Sequence, residues 1–225
     1  MKHRHSLQLK RRYKSIVMME IFSFSKKDIE YISRNIGPLQ KGAKLFNESS
    51  NINDPRLMPN VKDNEIHFEY GYLGTTIFLL NIIEFGKSYL HKDSYMYPAM
   101  FCFRQYIENS IKTIILMYEP NYKSGHDLAE SWKKLLRHIN KIENDDDEVE
   151  YVGSLINELQ AIDSRATAFR YPGALNAKYE ENPHAFSMLI DVVELKHRVL
   201  QVYRFFDRIC NLACMLKDEE ISSLS

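Results

Sequence analysis

The chain has 225 residues and a mass of 26.6 kDa, which suits one core, with or without a small appendage, and excludes a multidomain assembly. Hydrophobic residues make up 44% and charged residues 27%, enough to fill an interior and keep the surface wetted. Thirty basic and 30 acidic side chains cancel, so no overall field recruits nucleic acid or anionic lipid, and any such partner has to be held by a local patch.

Three cysteines, Cys102, Cys210 and Cys214, are too few and of the wrong parity for a disulfide framework, which points to a reducing, cytoplasmic setting. The opening MKHRHSLQLKRRYK is basic, but the apolar run Ile16 to Met19 stops at Glu20 without a small-residue cleavage site, unlike a signal peptide. The run Ile77 to Leu80 with Ile82 and Ile83 is broken by Asn81 and Glu84, far short of the roughly 20 apolar residues that span a bilayer. No membrane segment or membrane partner is expected.

In chain order, residues 1–14 carry six Lys or Arg and no acid, a tail that either contacts phosphates or is simply solvated. Tyr13 to Phe24 mixes β-branched and aromatic residues with weak alternation and reads as a short strand. Ser25-Lys26-Lys27-Asp28 fits a capping box, so a helix starts there and is stopped by Gly37-Pro38. Asn47 to Asn64 lacks apolar periodicity and holds two prolines, as a long loop does, and Glu65 to Tyr72 (EIHFEYGY) reads as a second strand.

Beyond Gly71 the period becomes helical. Tyr72 to Leu90 is apolar on most sides, as in a central helix. Pro98 suits the first turn of the next helix, which runs to about Tyr118 before Pro120. A third follows Gly125, with Leu128, Trp132, Leu135, Ile139 and Ile142 on one stripe. A fourth, led by the acidic cluster Glu143 to Glu150, carries Val152, Ile156, Leu159, Ile162, Ala166 and Phe169 up to Pro172. The last, about residues 184–217, bears one stripe from Val192 to Leu216 and a second through Leu189, Val193, Leu200, Tyr203 and Cys210. Two apolar faces on one helix leave one for a partner chain, so a homodimer is expected.

The predicted fold is therefore mainly all-α: an antiparallel up-and-down helical bundle over residues 73–217, an N-terminal appendage over 1–72 that includes a small β element, and a tail over 218–225. Eight glycines supply no G-x-G-x-x-G or P-loop, and neither H-E-x-x-H nor paired C-x-x-C occurs, so no cofactor or metal is expected. Cys210 and Cys214 share a helix face, but no neighbouring His or Cys completes a tetrahedral set, which favours packing.

Arg104, Glu108 and Lys112 step by four beside the apolar stripe Phe103, Ile107, Ile111 and Ile114. Such a stripe is either a surface salt-bridge ladder or the wall of a polar pocket, because half-buried charges need partners from another helix. Candidate partners are His126 and Asp127 opening the third helix, Asp163 and Arg170 two helical turns apart on the fourth, and Tyr171 at its end. These residues are expected to converge at one end of the bundle, as helix caps or as a binding site.

FRQYIENSIKTII over Phe103 to Ile115, GHDLAESWKKLL, FRYPG and a long final helix together resemble the HEPN (higher eukaryotes and prokaryotes nucleotide-binding) superfamily over about residues 73–217. The resemblance implies a helical bundle, often dimeric, of the kind found in toxin and antitoxin pairs and phage defence, with RNA, a nucleotide or a partner protein from the same operon as its ligand. Many members cleave RNA without metal, using an Arg, four to six intervening residues and then a His near the start of the last helix. None of the eight histidines here has Arg five to seven residues before it, and the nearest approximation is Lys133 before His138. The expectation is a binding and assembly protein without that nuclease motif. The alternatives are an atypical metal-independent RNase, with His126 as acid or base and Arg104 or Arg170 steadying the phosphate, and a purely structural oligomer subunit.

Overall fold

The computed structural model describes residues 64–86, 89–123, 125–139, 146–171 and 189–223. The chain divides into two compact units, residues 1–61 and 62–225, and everything described belongs to the second. The expected strand at 13–24, the helix from Ser25 and nearly all of the loop at 47–64 lie outside the described residues.

The described part is an all-α helical bundle of five helices, with no strand among the described residues. α1 spans Asn64–Phe85 and α2 spans Tyr89–Tyr118. α3 spans Leu128–Ile139, α4 Asp146–Ile162 and α5 Val192–Ser223. No helix among the described residues is long and apolar enough to cross a membrane.

The expected strand at 65–72 is instead the opening of α1. Its apparent alternation is overridden because Leu73, Thr76, Leu80 and Ile83 form one buried stripe that needs a helical period, and no turn signal separates EIHFEYGY from it. Thr75 and Thr76 donate their hydroxyls back to the carbonyls of Gly71 (2.7 Å) and Tyr72 (2.8 Å). Gly86 closes α1 with its N–H on the Ile82 carbonyl at 2.7 Å, and a Cβ there would sit 2.6 Å from that oxygen.

α2 is the central element and packs against α1, α3 and α5. Its buried face is Ala99, Phe103, Tyr106, Ile107, Ile111, Ile114 and Ile115. It begins at Tyr89 and runs through Pro98, where a start was expected. The proline is exposed, and the burial of Ala99 and Phe103 beyond it outweighs the one helical hydrogen bond its missing N–H gives up.

α3 buries Leu128, Ser131, Trp132, Leu135 and Ile139, most of the expected stripe. Asp127 caps it, its Oδ1 accepting the Glu130 N–H at 2.9 Å. α4 was expected to reach Pro172 but ends at Ile162. The cause is the Asp163 carboxylate, whose Oδ1 takes the N–H groups of Thr167 (2.7 Å) and Ala168 (2.8 Å) and folds residues 163–171 into turns. Ala166 sits in that turn at φ 55°, a left-handed conformation that costs a non-glycine residue about 1–2 kcal/mol.

α5 starts at Val192, where Asp191 Oδ1 accepts the N–H groups of Val193 (3.0 Å) and Glu194 (3.1 Å), and not near 184 as expected. Its 32 residues make it roughly 48 Å long. Val199, Val202, Phe205, Phe206, Ile209 and Ala213 are buried, and Phe205 and Phe206 join Trp132 and Tyr106 in an aromatic cluster with ring centroids 5.5–6.4 Å apart. Lys196 ties α5 to Asn81 and Glu84 of α1, and Arg208 ties it to Glu148 of α4.

Candidate functional site

Arg104 is among the largest side chains in the molecule with no solvent exposure. It stands on the buried face of α2 one residue after Phe103, so its guanidinium points into the bundle between the start of α3 and the end of α4. Nη2 donates to the His126 carbonyl at 2.6 Å, and Nη1 and Nη2 reach Gln160 Oε1 at 3.4 and 3.5 Å. Nε lies 3.4 Å from Asp163 Oδ2, and the carboxylate is as buried as the cation. Burial lowers the Arg104 pKa from its ordinary value, and Asp163, then Glu108, then Asp127 oppose that by favouring the charged form.

The geometry of the pair is imperfect, since neither Arg104 Nε nor Asp163 Oδ2 makes a hydrogen bond among the described residues. The pair is therefore held by charge and by the bonds its other atoms make. Gln160 closes the arrangement: its Oε1 also accepts the Leu128 N–H at 3.1 Å, and its Nε2 donates to the Ser164 carbonyl at 3.2 Å. One amide thus links the first turn of α3, the end of α4 and the buried guanidinium. Gln160 was not among the residues expected from sequence. The available signal was its position three before Asp163, which places it on the last turn of α4 just before that carboxylate.

One turn along α2, Glu108 is also buried. Its Oε1 accepts the Lys112 ammonium at 2.5 Å and lies 3.1 Å from His126 Nδ1, while Oε2 has no hydrogen-bond partner among the described residues. His126 is exposed, and with Nδ1 turned to Glu108 its ring is available to solvent through Nε2. Of the expected ladder on α2, only Glu108 and Lys112 pair within the helix; Arg104 reaches away to α3 and α4.

Arg104, Glu108, Lys112, His126, Asp127 and Asp163 thus share one end of the bundle. Arg170 stands in the turns after α4, where its Nε donates to the Ala166 carbonyl at 2.6 Å and its charge is close enough to disfavour ionisation of Arg104. Its guanidinium lies 5.9 Å from the Phe101 ring and 5.5 Å from that of Tyr171, which is exposed. Asp163 and Arg170 are not two helical turns apart, because α4 has already ended. Lys133 and His138 stand apart from this end: His138 stacks on Tyr118 at 4.8 Å and lies 3.2 Å from Glu119 Oε1.

The division of labour is chemical. Arg104, Asp163 and Gln160 are consumed inside the fold, where they fix the approach of three helices. His126, Arg170 and Tyr171 face outward, offering an imidazole, a guanidinium and an aromatic ring. Among the described residues, no group of three or more His, Cys, Asp or Glu side chains is placed to hold a metal ion. Compared with protein-family models, with curated proteins and with solved structures, the chain has no match in any of the three.

Proposed function

We propose that the chain is a HEPN-like binding and assembly protein of a bacterial defence or toxin-type system, which holds RNA or a nucleotide on the outward side of the Arg104 end and works as a cytoplasmic homodimer. The observation that carries this reading is the burial of Arg104. A guanidinium without solvent exposure, bonded to the His126 carbonyl and paired with Asp163, is not free to meet a phosphate. What is presented to solvent is Arg170 over exposed Tyr171, a cation and a ring suited to phosphate contact and base stacking, together with the exposed His126.

Fluorescence anisotropy with labelled single-stranded RNA, and with a labelled adenine nucleotide, tests the reading. Expected is saturable binding that weakens as salt rises, and that Arg170→Ala and Tyr171→Ala each reduce several-fold. Absence of binding to both probes at low salt would overturn it.

A second reading, the atypical metal-independent RNase, draws on the 3.1 Å approach of His126 Nδ1 to Glu108 Oε1. A carboxylate on one ring nitrogen orients the other as an acid or base, and Arg170 is the cation left to steady the phosphate. Incubation with total RNA in EDTA distinguishes the two. Cleavage abolished by His126→Ala would favour the enzyme; Arg104 binds the backbone oxygen of residue 126, so that substitution leaves the buried contact in place.

A further inference from the structure

Ala166 is buried and holds φ 55°, a left-handed conformation that alanine rarely adopts. Strain of this kind persists only where the surroundings over-determine it, and it gathers where a group has to be positioned. Here the surroundings are explicit. Asp163 Oδ1 takes the N–H groups of Thr167 and Ala168 at 2.7 and 2.8 Å, and the Asp163 carbonyl accepts the Ala166 N–H at 3.3 Å. The other carboxylate oxygen of Asp163 lies 3.4 Å from the buried guanidinium of Arg104.

What the strained turn accomplishes is the direction of one carbonyl. The Ala166 oxygen accepts Arg170 Nε at 2.6 Å, a short, charge-assisted bond. The N–H groups of Arg170 and Tyr171 both reach the Thr167 carbonyl, at 3.0 and 2.9 Å, which fixes the backbone that carries the side chain. Phe101 of α2 adds a constraint from outside the turn, its ring 5.9 Å from the guanidinium carbon. With Nε engaged, the exposed guanidinium is left with Nη1 and Nη2, which make no hydrogen bond among the described residues. Two such donors in one plane match two oxygens of a single phosphate, and holding them in place beforehand removes an ordering cost from binding.

We infer that Asp163, Ala166 and Phe101 are positioning residues that hold Arg170 as a preorganised two-donor fork for a phosphate ester, so that the buried Arg104 and Asp163 pair sets the geometry of an exposed cation. The inference rests on the reading above in taking the ligand to carry phosphate. It adds which atoms receive that phosphate and why a charge alone at position 170 does not suffice.

The test follows the Arg170 Nε–H and Tyr171 amide resonances of the nitrogen-labelled full chain during titration with adenosine monophosphate, with the dinucleotide ApA and with adenosine. At least one phosphate ester is expected to bind with a Kd of about millimolar or tighter, and adenosine at least about tenfold more weakly. A response to the monophosphate alone identifies a terminal phosphate as the group held, and a response to ApA shows that an internal phosphodiester suffices. Arg170→Lys keeps the charge but lacks the Nε bond and the fork, and is expected to lose about fivefold or more in affinity. Asp163→Ala and Asp163→Asn both leave Arg104 without its counter-charge, so both are expected to lower the melting temperature. Asparagine still offers an oxygen to the Thr167 and Ala168 N–H groups, so only the alanine variant is expected to weaken binding about fivefold or more. A merely structural role for Asp163 would weaken both alike. Phe101→Leu, at a half-buried position, is expected to weaken binding about two- to threefold with helicity retained, and it decides the matter if Asp163→Ala does not fold. Full affinity in Arg170→Lys, full affinity in Phe101→Leu, equal losses in the two Asp163 variants, or adenosine binding as well as its monophosphate would overturn this inference and leave the binding reading standing. No shift with any probe would overturn both.

Discussion

At the scale of single residues the molecule separates charges that hold the fold from groups left to solvent. Arg104 is the clearest of the first kind. Replacing it with Met leaves Asp163 buried without its cation and Glu108 deprived of a nearby positive charge, and breaking such a pair costs about 3–5 kcal/mol. Urea unfolding is expected to show that loss for Arg104→Met. The double variant with Asp163→Asn is expected to cost less than the sum of the two single changes, by about 1–3 kcal/mol. Additive losses would mean that the two residues act independently. Cysteine reactivity provides a second measurement at this scale. Burial raises the thiol pKa of Cys210 to about 11 and also raises that of Cys102, whereas Cys214 is exposed. Iodoacetamide at about pH 8 is expected to modify Cys214 first and the other two at least about tenfold more slowly, with the difference removed by denaturant.

Among the helices, α4 comes close to α3 at Gly153. A Cβ on Gly153 would lie 2.7 Å from Trp132 Nε1 and 3.3 Å from Cε2, and Trp132 has little room to retreat because Phe205 and Phe206 flank its ring. Gly153→Ala therefore gains helix propensity but forces the indole to move, and overpacking of this kind costs about 1–3 kcal/mol. Since Trp132 is the chain's one tryptophan, its emission reports directly on the contact. Gly153→Ala is expected to shift that emission and lower the denaturation midpoint, and an unchanged spectrum with unchanged stability would show that the helices separate freely. The same contact explains a helix interior that spends a glycine where alanine would ordinarily serve.

For the molecule as a whole, the open question is what covers the outer side of α5. Val193, Leu200, Met215 and Leu216 of α5 are exposed, as are Leu189 (completely) and Ile190 just before it; Leu189, Val193 and Leu200 belong to the second stripe read from the sequence, whereas Tyr203 and Cys210 of that stripe pack against the core. Apolar surface of that extent seeks a partner. Light scattering at micromolar concentration is expected to give twice the mass of the chain, and Leu200→Asp is expected to return it to the monomer with helicity retained. A mass of 26.6 kDa for the unsubstituted protein would rule the dimer out. Unfolding by Leu200→Asp would instead place that residue in the core.

Much of the architecture was legible in the residues themselves, because helical periodicity is a local property. The described stripes of α2 and α3, and the part of the α5 stripe from Val199 to Ala213, are buried as their three- and four-residue spacing predicts, and Asp127 caps α3. Residues Arg104, Glu108, His126 and Asp163 were also recognisable as a group, since half-buried charges beside apolar seams need one another. The boundaries were not legible. EIHFEYGY alternates like a strand in isolation and becomes helix only because Leu73, Thr76 and Leu80 beyond it bury together; Pro98 starts no helix because the packing of Ala99 and Phe103 outweighs its lost bond. Only the tertiary structure decided which charges are spent. Whether Arg104 faces water or the interior depends on where the ends of α3 and α4 meet it, and the amide of Gln160, 56 residues away, completes that meeting. Local spacing sets which face of a helix is apolar, but the desolvation of a charge is set by every element packed around it, and that sum exists only in the folded chain.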